Sequence, residues 1–137
     1  MKKDKEIGKT KDVGFQIGVR KTLPINYKEL WDFVFSKEGL KIWLGNVSEK
    51  KFKTDSFKTK EGIEGNVTVF KEYSHIRMKW KPLNWESVST LQIRVIESGE
   101  KSTLSFHQEK LLDSEQREEM KEYWKKAIDL IEKKIIH

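Results

Sequence analysis

Residues 113–135 read DSEQREEMKEYWKKAIDLIEKKI, and this stretch decides the fold. Met120, Trp124, Ala127, Ile128, Ile131 and Ile135 recur at steps of four, three, one, three and four. That spacing draws one apolar stripe along a helix. Asp113 with Gln116 three residues later is a capping-box pattern at its start. No glycine or proline interrupts the stretch, so a helix of about six turns is expected. Such a helix cannot hide its stripe alone. It must lie across the apolar face of a second layer.

The preceding residues supply that layer. Phe15, Ile17 and Val19 alternate with Gln16, Gly18 and Arg20, the period of a half-buried strand. Val67 and Val69 alternate with Thr68. Ile76, Met78 and Trp80 alternate with Arg77, Lys79 and Lys81 before Pro82-Leu83-Asn84 breaks the run. Leu91, Ile93 and Val95 form another such run, and so do Leu104 and Phe106, with Ser98-Gly99-Glu100 as the tight connection between them. Phe52 and Phe57 flank the turn signal Thr54-Asp55-Ser56, which predicts a hairpin. Closely spaced strands with short turns imply an antiparallel meander. Two short helices precede it. Asn26 with Glu29 caps the first, whose face carries Leu30, Trp31, Val34 and Phe35. Leu40, Ile42, Trp43 and Leu44 mark the second, which Gly45-Asn46 closes.

The chain has 137 residues, a formal net charge of +6 and no cysteine. That length fits one domain, expected over residues 13–137, with residues 1–12 as a flexible charged tail. Disulfides, thiol catalysis and cysteine-based zinc sites are excluded. No apolar run reaches the roughly 18 residues that span a bilayer. The charged start from Met1 to Lys11 is no secretory signal, and a cytoplasmic setting is expected. Lys50, Lys51, Lys53, Lys58 and Lys60 crowd one stretch around Phe52 and Phe57. Such a cluster suits an acidic partner, but no nucleic-acid module is visible and nucleic acid is not expected.

The order of elements is the helix-grip arrangement, and particular segments add to it. Thr22-Leu23-Pro24-Ile25-Asn26-Tyr27-Lys28-Glu29-Leu30-Trp31, Lys37-Glu38-Gly39-Leu40-Lys41-Ile42-Trp43, Gly65-Asn66-Val67, His75 to Trp80, Ser102 to Phe106 and Tyr123-Trp124 stand in a telling order. With them the chain resembles the START-like SRPBCC superfamily, in the branch of activators of the 90-kDa heat-shock chaperone (Hsp90) ATPase, over roughly Gly14 to Ile135. The resemblance implies an α+β helix-grip (START/Bet v 1-like) fold. A curved antiparallel sheet would carry two short helices and a long C-terminal helix packed across it. It also implies a groove between that helix and the sheet, which in relatives takes lipids, polyketides or flavonoid-like compounds. Glu122-Tyr123-Trp124 departs from the glycine that often precedes this tryptophan in the family, and the stretch from Val47 to Glu61 is unusually rich in lysine.

Five tryptophans in this length either fill the core or line such a groove. Trp43, Trp80, Tyr123 and Trp124 are the leading candidates for contact with a ligand, followed by Phe52, Met78, Phe106 and Ile128. His75 and His107 show no partner for acid–base work in the sequence, and three scattered histidines make no metal site. No catalytic residues, metal or cofactor are assigned. The expected function is non-enzymatic binding of a hydrophobic small molecule. The alternatives are a chaperone-associated interaction module or a cyclase or hydrolase using the same groove.

Overall fold

The computed structural model describes residues 9–10, 14–47, 52 and 56–136. Its strands are β1 (Lys9–Thr10), β2 (Gly14–Leu23), β3 (Ser56–Lys58), β4 (Glu64–Lys71), β5 (His75–Lys81), β6 (Ser89–Ser98) and β7 (Lys101–Leu111). The helices are α1 (Tyr27–Val34), α2 (Lys37–Trp43) and α3 (Ser114–Ile136). The strands form one sheet in the order β1-β2-β7-β6-β5-β4-β3, every neighbouring pair antiparallel. This is the α+β helix-grip fold, a curved antiparallel sheet with a long helix across it. Of the stretch expected as a tail, only Lys9–Thr10 lie among the described residues, and they pair with Phe15 and Gly14.

Alternation decides the two faces of the sheet. In β5, Ile76, Met78 and Trp80 are buried while Arg77, Lys79 and Lys81 turn outward. Register carries the same division across the strands: Ile76 opposes Ile93, Met78 opposes Leu91, and Ile93 in turn opposes Phe106. Against this inner face α3 lays Met120, Trp124, Ala127, Ile128 and Ile131, all buried. At its start the Gln116 N–H donates to Asp113 Oδ1 at 2.8 Å, and Gln116 Oε1 accepts the Leu112 N–H at 2.9 Å. The first bond satisfies an amide that a helix start leaves without an intrahelical partner, and the second ties down the residue before the cap.

The short helices are fixed by their ends. Asn26 Oδ1 accepts the Lys28 N–H at 2.8 Å, and Ser36 Oγ accepts the Gly39 N–H at 3.1 Å. Gly39 faces the end of α1, where a Cβ would fall on the Phe33 carbonyl oxygen. The two helices therefore meet backbone to backbone.

One local expectation is corrected. Phe52 is helical and not on a hairpin strand, while Phe57 sits in β3. A hairpin joins β3 to β4 through residues 59–63, with Phe57 opposite Gly65. Thr54 and Asp55 lie outside the described residues.

Candidate functional site

The layer between sheet and α3 is built from rings. Trp124 stacks on Phe106 with centroids 4.6 Å apart and planes at 10°. Trp80 meets Trp124 at 5.4 Å, Tyr123 at 5.9 Å and Trp85 at 5.8 Å. Trp43 touches Phe52 and Phe106, and Phe52 touches Phe57 at 5.3 Å. A chain of hydrogen bonds runs through this layer. The Trp124 indole N–H donates to Gln108 Oε1 at 2.8 Å, Gln108 Nε2 donates to Ser89 Oγ at 2.9 Å, and the Ser89 hydroxyl donates to the Trp80 carbonyl at 2.6 Å. The Trp43 indole N–H reaches the Val34 carbonyl at 2.9 Å, and the Tyr123 hydroxyl donates to the Trp43 carbonyl at 2.8 Å. Burial, helped by the Glu61 charge, pushes the Tyr123 pKa up to about 12. The indole N–H of Trp80 is buried without a hydrogen-bond partner among the described residues.

All eight expected site residues thus come together in this layer. Trp43, Trp80, Trp124, Phe52, Met78, Phe106 and Ile128 are no more than 2% exposed, and Tyr123 is half-buried. They pack on one another and on their neighbours.

An open cleft of about 840 Å³ lies elsewhere, at the β3 end of the sheet. Val47, Phe57, Gly65 and Val88 give it an apolar lining, and Lys37, Lys58, Lys60, Lys79 and Lys81 surround that lining with Glu64 as the one acid among the described lining residues. Register explains the crowding. Lys58 opposes Glu64, Glu64 opposes Lys81, and Asn66 opposes Lys79. One rim is clamped: the Asn46 N–H donates to Glu61 Oε1 at 2.8 Å, and the Asn46 carbonyl accepts the Lys60 N–H at 3.2 Å. The Asn46 amide holds the Glu61 carboxyl below its ordinary pKa. None of the eight expected residues lines this cleft. Lys58 and Lys60 come from the lysine-rich stretch, whereas Lys37, Lys79, Lys81 and Val88 were not anticipated. The polar half of the β5 alternation, Arg77, Lys79 and Lys81, is wholly basic and was the available signal.

A smaller groove of about 230 Å³ lies between β2 and α3, lined by Val19, Arg20, Lys21, Lys125, Ile128 and Asp129. Of the eight, only Ile128 borders it. The histidines stand apart from both. His75 Nδ1 lies 2.9 Å from Ser74 Oγ, and His107 Nε2 lies 3.0 Å from Gln16 Oε1. Glu109 pairs with Arg77 at 3.1 Å. Among the described residues no three histidines or carboxylates converge as a metal site would require, and no helix is long and apolar enough to cross a membrane.

The family described as Activator of Hsp90 ATPase homolog 1-like protein matches residues 25–135. No curated protein matches the sequence. Among solved structures, DynU16, a protein of the dynemicin biosynthetic locus, superposes with a TM-score of 0.77 at 14% identity, over 88% of this chain and 46% of that one. The chain therefore spans less than half the length of DynU16. CalU16 from Micromonospora echinospora gives 0.76 at 15% identity, over 88% and 73%. PFC0360w, an HSP90 activator from Plasmodium falciparum, gives 0.60 at 16% identity, over 71% and 74%. At these identities the likeness is one of fold.

Proposed function

The chain belongs to the Activator of Hsp90 ATPase homolog 1-like family, in the START-like SRPBCC superfamily, and on that premise we propose that it is a non-enzymatic binding domain for a hydrophobic small molecule bearing an acidic group. The observation that carries this reading is the cleft of about 840 Å³. Its volume falls in the range of small-molecule sites, roughly 300–1,000 Å³. Apolar contact with Val47, Phe57 and Val88 supplies affinity, and the surrounding lysines orient the acidic group. Phe57 joins the cleft to the aromatic layer through its contact with Phe52, and the eight residues of that layer open to a ligand only if the layer itself parts.

Decanoate and decanol share a chain and differ in charge, so they test both halves of the reading. Decanoate should shift the backbone amides of Phe57, Gly65, Lys79 and Val88, and decanol should do so more weakly. The Lys79→Glu/Lys81→Glu double variant should weaken decanoate binding about tenfold, or about 1.4 kcal/mol. Shifts confined to Trp43, Trp80 and Trp124 would move the ligand into the layer between sheet and helix. No shift with either compound removes the small-molecule reading.

The filled aromatic layer favours a second reading, in which the same basic cleft meets an acidic surface of a chaperone. PFC0360w is an HSP90 activator of the same fold. Stimulation of a purified bacterial chaperone ATPase, lost in the same double variant, would support it. Neither stimulation nor co-purification would remove it.

A further inference from the structure

We propose that Lys71, His75 and Arg94 form a seat for a tetrahedral oxyanion, a phosphate group, on the outer face of the sheet. The register sets the three side by side: Lys71 opposes His75 across β4 and β5, and His75 opposes Arg94 across β5 and β6. Directly opposed residues project to the same face of a sheet. That face is the outer one, because the neighbouring Ile76 and Ile93 point into the core. With strands about 4.8 Å apart, the row from Lys71 to Arg94 spans roughly 10 Å. A phosphate placed over its centre is within reach of all three side chains. On the far side of Arg94 the row continues through the Ser105 hydroxyl to Arg20 on β2.

Cations that share one row of a sheet face repel each other across the residue between them. Elsewhere on the same face the chain avoids this, since Arg77 is paired with Glu109 at 3.1 Å and lies near Gln92. Among the described residues Lys71, Arg94 and Arg20 have no ion pair, although the chain contains 22 acidic residues. The row is thus a concentration of positive charge that the fold leaves uncompensated, and a bound dianion relieves the repulsion. The imidazole is oriented for the task. Ser74 Oγ holds Nδ1 at 2.9 Å, which leaves Nε2 as the nitrogen to meet a ligand. Partial desolvation and the charges of Arg94 and Lys71 keep His75 below its ordinary pKa of 6.5. Charge-assisted hydrogen bonds to a phosphate oxygen act in the opposite direction.

The seat is separate from the lysine-lined cleft, which includes none of its three residues, so its test does not depend on the proposed function. The full chain is titrated by NMR, following the His75 ring protons in chloride, in inorganic phosphate and in glycerol 3-phosphate at matched ionic strength. The expected result is a His75 pKa higher in phosphate than in chloride by about half a pH unit or more. In Arg94→Gln the value in chloride should itself rise, because a neighbouring cation is gone, while the phosphate-dependent increase should shrink. An equal response to the ester shows that the seat accepts a phosphate group whatever carries it. A response to inorganic phosphate alone restricts the seat to the free ion. Identical His75 titrations in all three salts overturn the proposal, as does a phosphate effect that Arg94→Gln leaves unchanged.

Discussion

Gln108 shows how one polar residue can organise an apolar layer. It is fully buried and accepts from the Trp124 indole while donating to Ser89, which in turn holds the Trp80 carbonyl. Gln108→Leu keeps the volume but strands the Trp124 N–H in the core. It should cost about 1–3 kcal/mol in urea denaturation, the usual penalty for a buried donor left unsatisfied. Tyr123 makes a different prediction. Its folded pKa, about 12, stands above the ordinary value of 10.0. The folded state thus favours the neutral phenol, and this contribution is complete below pH 10 and lost as pH rises through about 12. Stability should fall by about 1.4 kcal/mol per pH unit in that window on account of this group. Tyr123→Phe should flatten the alkaline decline while giving up the hydrogen bond to Trp43. The alternation in the sequence was enough to place Trp80 and Phe106 on an inward face. It was silent on whether the opposing helix leaves a space in front of them, because side-chain period reports direction and not the gap between layers.

Among the elements, the joint between α1 and α2 is the least forgiving. Ser36→Ala removes one capping bond and should cost about 1 kcal/mol. Gly39→Ala should cost more, because the added methyl meets the backbone of Phe33 and Val34 instead of a movable side chain. Thermal denaturation of the two variants side by side checks the ranking; equal midpoints would mean that the helices separate freely. Long elements were legible from sequence: α3 runs 23 residues with the expected stripe, and β5 and β6 follow their alternation. β3 was not, since three residues are too few to establish a period. The lysine-lined cleft shares that origin. It exists because β3, β4 and β5 align Lys58, Glu64 and Lys81 in register and because Val88 arrives from a loop, and neither relation is periodic in the chain.

At the scale of the whole molecule the strand order matters most. β2 hydrogen-bonds along most of its length to β7, and β3 to β7 form a meander of sequence neighbours. A chain ending at Ser98 would keep β2 to β6 but deprive β2 of its partner and the sheet of α3. It should lack the cooperative unfolding transition of the full chain, as followed by circular dichroism; a sharp transition in that fragment would show that the meander and short helices form a core of their own. Most of the apolar inner face, from Leu23 and Trp31 to Phe106, is covered only when both ends of the sequence are present.

Vectorial synthesis makes that pairing a matter of timing. A ribosome delivers β2 first and β7 some ninety residues later, for Ile17 opposes Gln108. Until then Ile17 and Leu23 have no strand to lie against, and at roughly 5–20 residues per second the nascent chain waits several seconds in that condition. The adjacent Arg20 and Lys21 keep this early segment charged, which opposes association between chains on neighbouring ribosomes. Translation speed, and not only the free energy of the finished fold, therefore bears on how much of this protein a cell recovers.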